Sequence, residues 1–183
     1  AAIYSGGLVL QYPLGFLSDR MDRRRLITIV AFLGGASAVF AVAFSANFVV
    51  LLVSAFLIGG MANPLYSLLI AYTNDFLGHE DMASASAGML FINGLGAITG
   101  PLIIGWVMDT VGPQGFFILI AVLLLLLTAY GLWRMTRRPA PTVDETGRFA
   151  PISQASSPVF MEVAQEYAIE AAESADQPKD TAA

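Results

Sequence analysis

Gly15-Phe16-Leu17-Ser18-Asp19-Arg20-Met21-Asp22-Arg23-Arg24-Arg25 puts six charged side chains into the seven positions from Asp19 to Arg25. The runs on either side, Ala1 to Ser18 and Leu26 to Ser45, contain no Lys, Arg, Asp or Glu at all. A charged side chain at the centre of a membrane helix costs about 2.5–3.5 kcal/mol on insertion scales, so lipid-spanning segments are kept free of charge. A dense charged turn between two charge-free runs is therefore the pattern of two membrane helices joined on one side of a bilayer.

Three more runs of the same kind follow, Phe48 to Asn74, Ala83 to Met108 and Phe116 to Trp133, again with no charged residue in their interiors. At a rise of about 1.5 Å per residue, roughly 20 residues cross the ~30 Å hydrocarbon core. Alternating strands of about ten residues would indicate a membrane barrel, but these runs are long and continuous. The sequence predicts an all-α membrane protein with five transmembrane helices, occupying residues 1–138.

The composition supports this reading. Of 183 residues, 56% are hydrophobic and 13% charged, with a mean hydropathy of +0.69, whereas a soluble domain carries about 25% charged residues. The net charge of −5 is an average over two unlike parts. Residues 1–138 hold seven Arg against six acidic residues, +1, and residues 139–183 hold Arg148 and Lys179 against eight acidic residues, −6. The second part is rich in Pro, Ala, Ser, Thr and Glu, a composition that predicts a disordered cytoplasmic tail with at most a transient helix after Ser157-Pro158. The absence of cysteine excludes disulfides, thiolate metal sites and cysteine nucleophiles. A single histidine, His79, makes no metal site, and it is expected to be solvated in its loop. The few basic residues do not form the broad face that nucleic acid requires. No paired acids, nucleophile with a base, or phosphate loop supports an enzyme, and no cofactor or metal is called for.

Four connections are read between the helices: Asp19 to Arg25, Ala46-Asn47, Asp75 to Met82, and Asp109 to Gly115 with its Gly112-Pro113 breaker. The basic residues lie in the first connection and after the fifth helix, at Arg134, Arg137, Arg138 and beyond. The positive-inside rule then puts the first connection, the third connection and the tail in the cytoplasm. Five crossings from a non-cytoplasmic Ala1 end on that same side. Residue 1 already lies inside an apolar run with no charged flank, so we expect a piece of a longer chain.

The opening stretch resembles the signature loop of the major facilitator superfamily, G-x-x-x-D-R/K-x-G-R/K-R/K, which lies between the second and third helix of each six-helix half. Gly15 matches the close-packing glycine, Asp19 the acidic anchor, and Arg20, Arg23 and Arg24 the basic cluster. Asp22 departs from the pattern, standing where the family has glycine. If a positive φ is needed there, Asp tolerates it less well than Gly but better than most residues. The resemblance implies a cytoplasmic latch favouring the outward-facing state, in which Arg20 and Arg23 pair with acidic groups at other helix ends. Asp75, at the end of the third run, is the expected local partner. The preceding Gln11-Tyr12-Pro13-Leu14-Gly15 resembles the same place in YcaD-like bacterial transporters.

Gly96-Ala97-Ile98-Thr99-Gly100-Pro101 resembles the G-x-x-x-G-P motif of family exporters, and Gly96 and Gly100 are expected to let a neighbouring helix approach closely, with Pro101 introducing a bend. No arginine lies in the third run, and an acidic tail follows the fifth. The resemblance therefore implies helices eight to twelve of a twelve-helix transporter in a bacterial inner membrane, whose partners are the lipid bilayer, the missing amino-terminal half and a small-molecule substrate. Candidate cavity residues are Gln11, Asn63 and Asn93, drawn from a wider polar set with Tyr12, Tyr66 and Thr99. Asn63 precedes Pro64, where a local helix break is expected. The alternatives are helices two to six of an amino-terminal half, and a non-transporting membrane accessory protein whose acidic tail recruits a partner.

Overall fold

A computed structural model describes residues 1–76 and 79–137, with side chains described in the fourth helix from residue 84 onward. The expectations for the tail, for Arg138 and for the His79 side chain lie outside these residues. Five helices follow in order: α1 (Ala2–Ser18), α2 (Arg23–Ala43), α3 (Phe48–Asn74), α4 (His79–Val111) and α5 (Gly115–Met135). Four of them, α2, α3, α4 and α5, are long and apolar enough to cross a membrane, and α1 has 17 residues.

The helix ends are set by capping as well as by hydropathy. The helix α2 begins at Arg23, three residues before its apolar run, because the Asp22 carboxylate accepts a hydrogen bond from the Arg24 N–H at 2.9 Å. Asn47 caps α3 in the same way, accepting from the Val49 and Val50 N–H groups at 3.0 and 3.4 Å. Such caps satisfy amides that have no partner inside the helix. At the other end, α4 runs past Met108 to Val111 and stops where Gly112 takes a φ of +90°, a conformation that favours glycine. Its N–H closes the last turn on Met108 O at 2.9 Å. The first, third and fourth connections are thus shorter than the hydropathy suggested, and the second is longer, running from Phe44 to Asn47 because α2 ends at Ala43.

Pro64 does not break α3. The helix is continuous from Phe48 to Asn74 with the proline ring fully buried, so no exposed stretch of carbonyls opens at Asn63. A proline is tolerated inside a membrane helix when neighbouring helices pack around it. The helices α1 and α4 likewise run through Pro13 and Pro101.

Packing is built on glycine pairs. A Cβ on Gly6 would overlap the carbonyl of Phe56, and one on Gly59 would overlap the carbonyl of Ile3, so α1 and α3 cross backbone to backbone. Gly34 and Gly35 receive Leu124 and Leu125 of α5. Leu26, Ile27 and Val30 of α2 form the main buried cluster with Leu65 and Leu68 of α3. The helix α4 packs through Met89 and Leu90, which meet Ile70 of α3 in a separate small cluster, and through its turn into α5, where Gly115 lies against Val107. Gly96 and Gly100 face open space among the described residues, so the close crossings are made by other glycines than the G-x-x-x-G spacing suggested.

Candidate functional site

The residues of the opening stretch converge at one end of the bundle, where the end of α1, the start of α2 and the end of α3 meet. Arg23 stands at the centre. Its Nε donates to Ser18 Oγ at 3.2 Å, and its Nη1 donates to Ala71 O at 3.3 Å and to Asp75 Oδ1 at 2.6 Å. Its Nη2 lies 3.7 Å from Asp19 Oδ1. The Arg23 and Asp75 side chains are 2% and 4% exposed, while Asp19 is 41% exposed. One guanidinium therefore joins α1 through Ser18 and Asp19 to α3 through Ala71 and Asp75.

Local structure explains why the cluster forms here. Asp19 is the C-cap of α1, Asp75 the C-cap of α3, and Arg23 the first residue of α2. The last carbonyls of a helix carry partial negative charge, so Ala71 O adds to the attraction of Asp75 for the cation. The guanidinium fork offers five N–H donors in fixed directions, and three distinct acceptors take them from two helices.

The neighbouring charges have separate roles. Asp22 sits at φ −53°, well away from the left-handed region, and serves as the α2 cap. A side-chain cap thus takes the place of the conformational freedom that a glycine would supply. Its carboxylate oxygens lie 3.8 Å from Arg24 Nε and 4.0 Å from Arg25 Nε. Gly15 is buried one turn before Asp19. Arg20 faces outward, its guanidinium carbon 3.9 Å from the centroid of the Phe16 ring, a cation–π contact rather than the expected ion pair among the described residues. The residue that sequence reasoning missed is Ser18. Its signal was available: it is the polar residue at the end of an apolar run, next to the anchor Asp19.

The mid-helix polar residues are distributed differently. Gln11, Asn63 and Asn93 each lie near the midpoint of α1, α3 and α4, and each is half-buried. Asn63 packs against Gly7 of α1, filling the space a Cβ would take. The buried Tyr66 hydroxyl has no hydrogen-bond partner among the described residues. Thr99 bonds back to Leu95 O at 2.9 Å, and Tyr12 is 83% exposed. No described contact brings Gln11, Asn63 and Asn93 together. Among the described residues, no three of His, Cys, Asp and Glu come close enough to hold a metal ion.

Comparison with known proteins fits this geometry. The family profile described as Major Facilitator Superfamily matches residues 1–170. The chain is 31% identical over 122 residues to a protein of Bacillus subtilis (strain 168) described as an uncharacterized MFS-type transporter, YfkF, covering 65% of this chain and 30% of that one. Its fold is similar to the crystal structure of an auto-inhibited POT family peptide transporter, with a TM-score of 0.67 and 18% identity, over 78% of this chain and 29% of that one. It is also similar to the in meso crystal structure of the POT family transporter PepTSo, with a TM-score of 0.68 and 15% identity, over 94% of this chain and 37% of that one. The chain thus spans about a third of the length of the proteins it matches.

Proposed function

The chain belongs to the major facilitator superfamily, and from that premise we propose that it forms helices eight to twelve of a secondary-active transporter that moves a small solute across a bacterial inner membrane by alternating access. Its charged end and residues 139–183 lie in the cytoplasm on this reading, and the other half of the transporter supplies the opposing wall of the pathway. The observation that carries the proposal is the burial of Arg23 between the ends of three helices.

The chemistry follows from how such a pair behaves. Burying two charges is costly, and their attraction roughly offsets that cost when the geometry is good. An Arg23–Asp75 pair therefore adds little to overall stability while strongly favouring one arrangement of the helix ends. If α1 and α3 separate at the cytoplasmic side, Arg23 loses Asp75, and both groups regain water. Closed and open arrangements then differ by a few kcal/mol, the range a bound solute can shift through its differential affinity. Arg24 and Gly15 complete this latch, while Arg20 lies at its outer edge on Phe16. Gln11, Asn63 and Asn93, near the middle of their helices, are the proposed lining of the solute pathway, where superfamily-type transporters hold substrate near the bilayer midplane.

Counterflow into proteoliposomes holding the full-length protein, with labelled amino acids, sugars, nucleosides and organic cations in turn, tests the transport reading. Saturable flux above protein-free vesicles for one class is expected. Folded protein that carries none of them would contradict it.

A further inference from the structure

The outward face of α5 carries a stripe that the transport reading does not use. Leu123, Leu126, Tyr130 and Trp133 are 57%, 62%, 50% and 56% exposed, and their spacing of three, four and three residues puts them on one side of the helix. The same stripe ends in charge. Arg134 Nη1 donates to the Tyr130 hydroxyl at 3.0 Å, and the Arg137 guanidinium carbon lies 5.8 Å from the centroid of the Trp133 ring. The Tyr130 and Trp133 rings are 6.0 Å apart. Among the described residues, no carboxylate lies within 4.0 Å of either Arg134 or Arg137.

The helix thus presents hydrocarbon, then an amphipathic aromatic pair, then two cations, within about 20 Å of rise. Tyr and Trp settle at the headgroup level of a bilayer. A planar guanidinium recognises phosphate with two parallel hydrogen bonds. The packing of α2 on α5 brings a third cation to the same end: Thr28 lies against Gly131, and Arg25, one turn earlier in α2, is 72% exposed.

We propose that this end of α5 is a binding site for an anionic phospholipid, its headgroup phosphate held by Arg134 and Arg137 and an acyl chain laid along Leu126 and Leu123. The ordered sequence of apolar, aromatic and cationic positions matches the three zones of a phospholipid. A free phosphate would use the cations and leave the stripe idle. The acidic residues 139–183 would satisfy the charge but not the leucines.

The test uses the full-length protein in detergent micelles, with Trp106→Phe and with phenylalanine in place of any tryptophan outside these 183 residues, so that Trp133 is the single tryptophan. Its fluorescence is titrated with acyl-brominated phosphatidylglycerol and, separately, with acyl-brominated phosphatidylcholine. Phosphatidylglycerol should quench at the lower mole fraction, and Arg134→Gln with Arg137→Gln should reduce that preference by about tenfold, since each basic side chain near the headgroups adds appreciably to anionic lipid affinity. The corresponding Lys variants should keep most of the preference, which guards against a mere packing defect. Equal quenching by both lipids, or a preference that the Gln variants leave intact, would overturn the proposal. So would competition by inorganic phosphate at matched ionic strength, which would indicate a free-anion site. A preference that emerges only when residues 139–183 are deleted would overturn it as well, by assigning the cations to the tail.

Discussion

Arg23 and Asp75, separated by 52 positions in the chain, meet at 2.6 Å between Nη1 and Oδ1 with both side chains almost fully buried. Each member compensates a charge that the other leaves without water. Asp75→Asn or Arg23→Gln alone should therefore destabilise the bundle by about 3–5 kcal/mol, because the remaining buried charge loses its closest counterpart. The double change Arg23→Met with Asp75→Leu should recover most of that loss, since apolar side chains of similar volume replace such pairs at little cost. Denaturant unfolding of the purified protein, followed by circular dichroism, measures both. A double variant as unstable as the singles would refute the assignment of the energy to charge burial.

The α1–α3 crossing depends on the absence of a Cβ at Gly6 and Gly59, where a methyl group would enter a backbone carbonyl of the facing helix. Gly6→Ala and Gly59→Ala should each cost 1–3 kcal/mol or more, the range for overpacking in a filled interior. Gly96→Ala and Gly100→Ala, where the added methyl meets none of the described residues, should stay within about 0.5 kcal/mol of the parent. Thermal unfolding of the four variants in one detergent makes the comparison, and equal losses at all four positions would count against this packing.

Asp22 is predicted to act by capping rather than by a special backbone conformation. Asp22→Asn should be nearly neutral, and Asp22→Ala should cost about 1 kcal/mol, while Asp22→Gly should cost only a few tenths. Unfolding midpoints rank the three. If Gly were the most stabilising choice, the position would be under conformational strain that its φ of −53° does not indicate.

The mid-helix amides should separate by function. Asn63→Ala empties the space over Gly7 and is expected to lower stability by about 1–2 kcal/mol along with solute affinity. Asn93→Ala, on the loosely packed α4, should raise KM for the transported solute with unfolding unchanged. Flux and unfolding measured on the same preparations decide this, and an unchanged KM for Asn93→Ala would remove it from the pathway.

Much of the fold was legible because charge avoidance in lipid is a strong constraint. The bounds of α3 coincide with its apolar run, where Asn47 and Asp75 serve as both polarity limits and caps. The start of α2 was misjudged because hydropathy marks where lipid ends, whereas the Asp22 cap marks where the helix begins, and Arg23 and Arg24 lie between the two. The expected break at Asn63-Pro64 failed for a related reason: local preference before proline yields to the packing that buries Pro64. Spacing alone could not say which of the 17 glycines meet a neighbour, since Gly96 and Gly100 have the motif while Gly6, Gly34 and Gly59 have the contacts. Within the charge cluster, residue types indicated Arg23 and Asp75, but the part of Ser18 depends on the direction of one Nε–H, which only the folded chain fixes.

The latch itself is tested most directly by thiol accessibility beneath it. These 183 residues hold no cysteine, so in a full-length protein whose other segments are made cysteine-free, Leu14→Cys introduces a single reporter at a half-buried position packed against the α2–α3 core. In the full-length protein in membrane vesicles, a membrane-impermeant maleimide reaching the Arg23 side should label Cys at position 14 slowly when Arg23 and Asp75 are intact. It should label it at least tenfold faster with Arg23→Gln or Asp75→Asn, a change of about 1.4 kcal/mol in the opening equilibrium. Labelling at the parent rate in both variants, with the helices still folded, would contradict the latch.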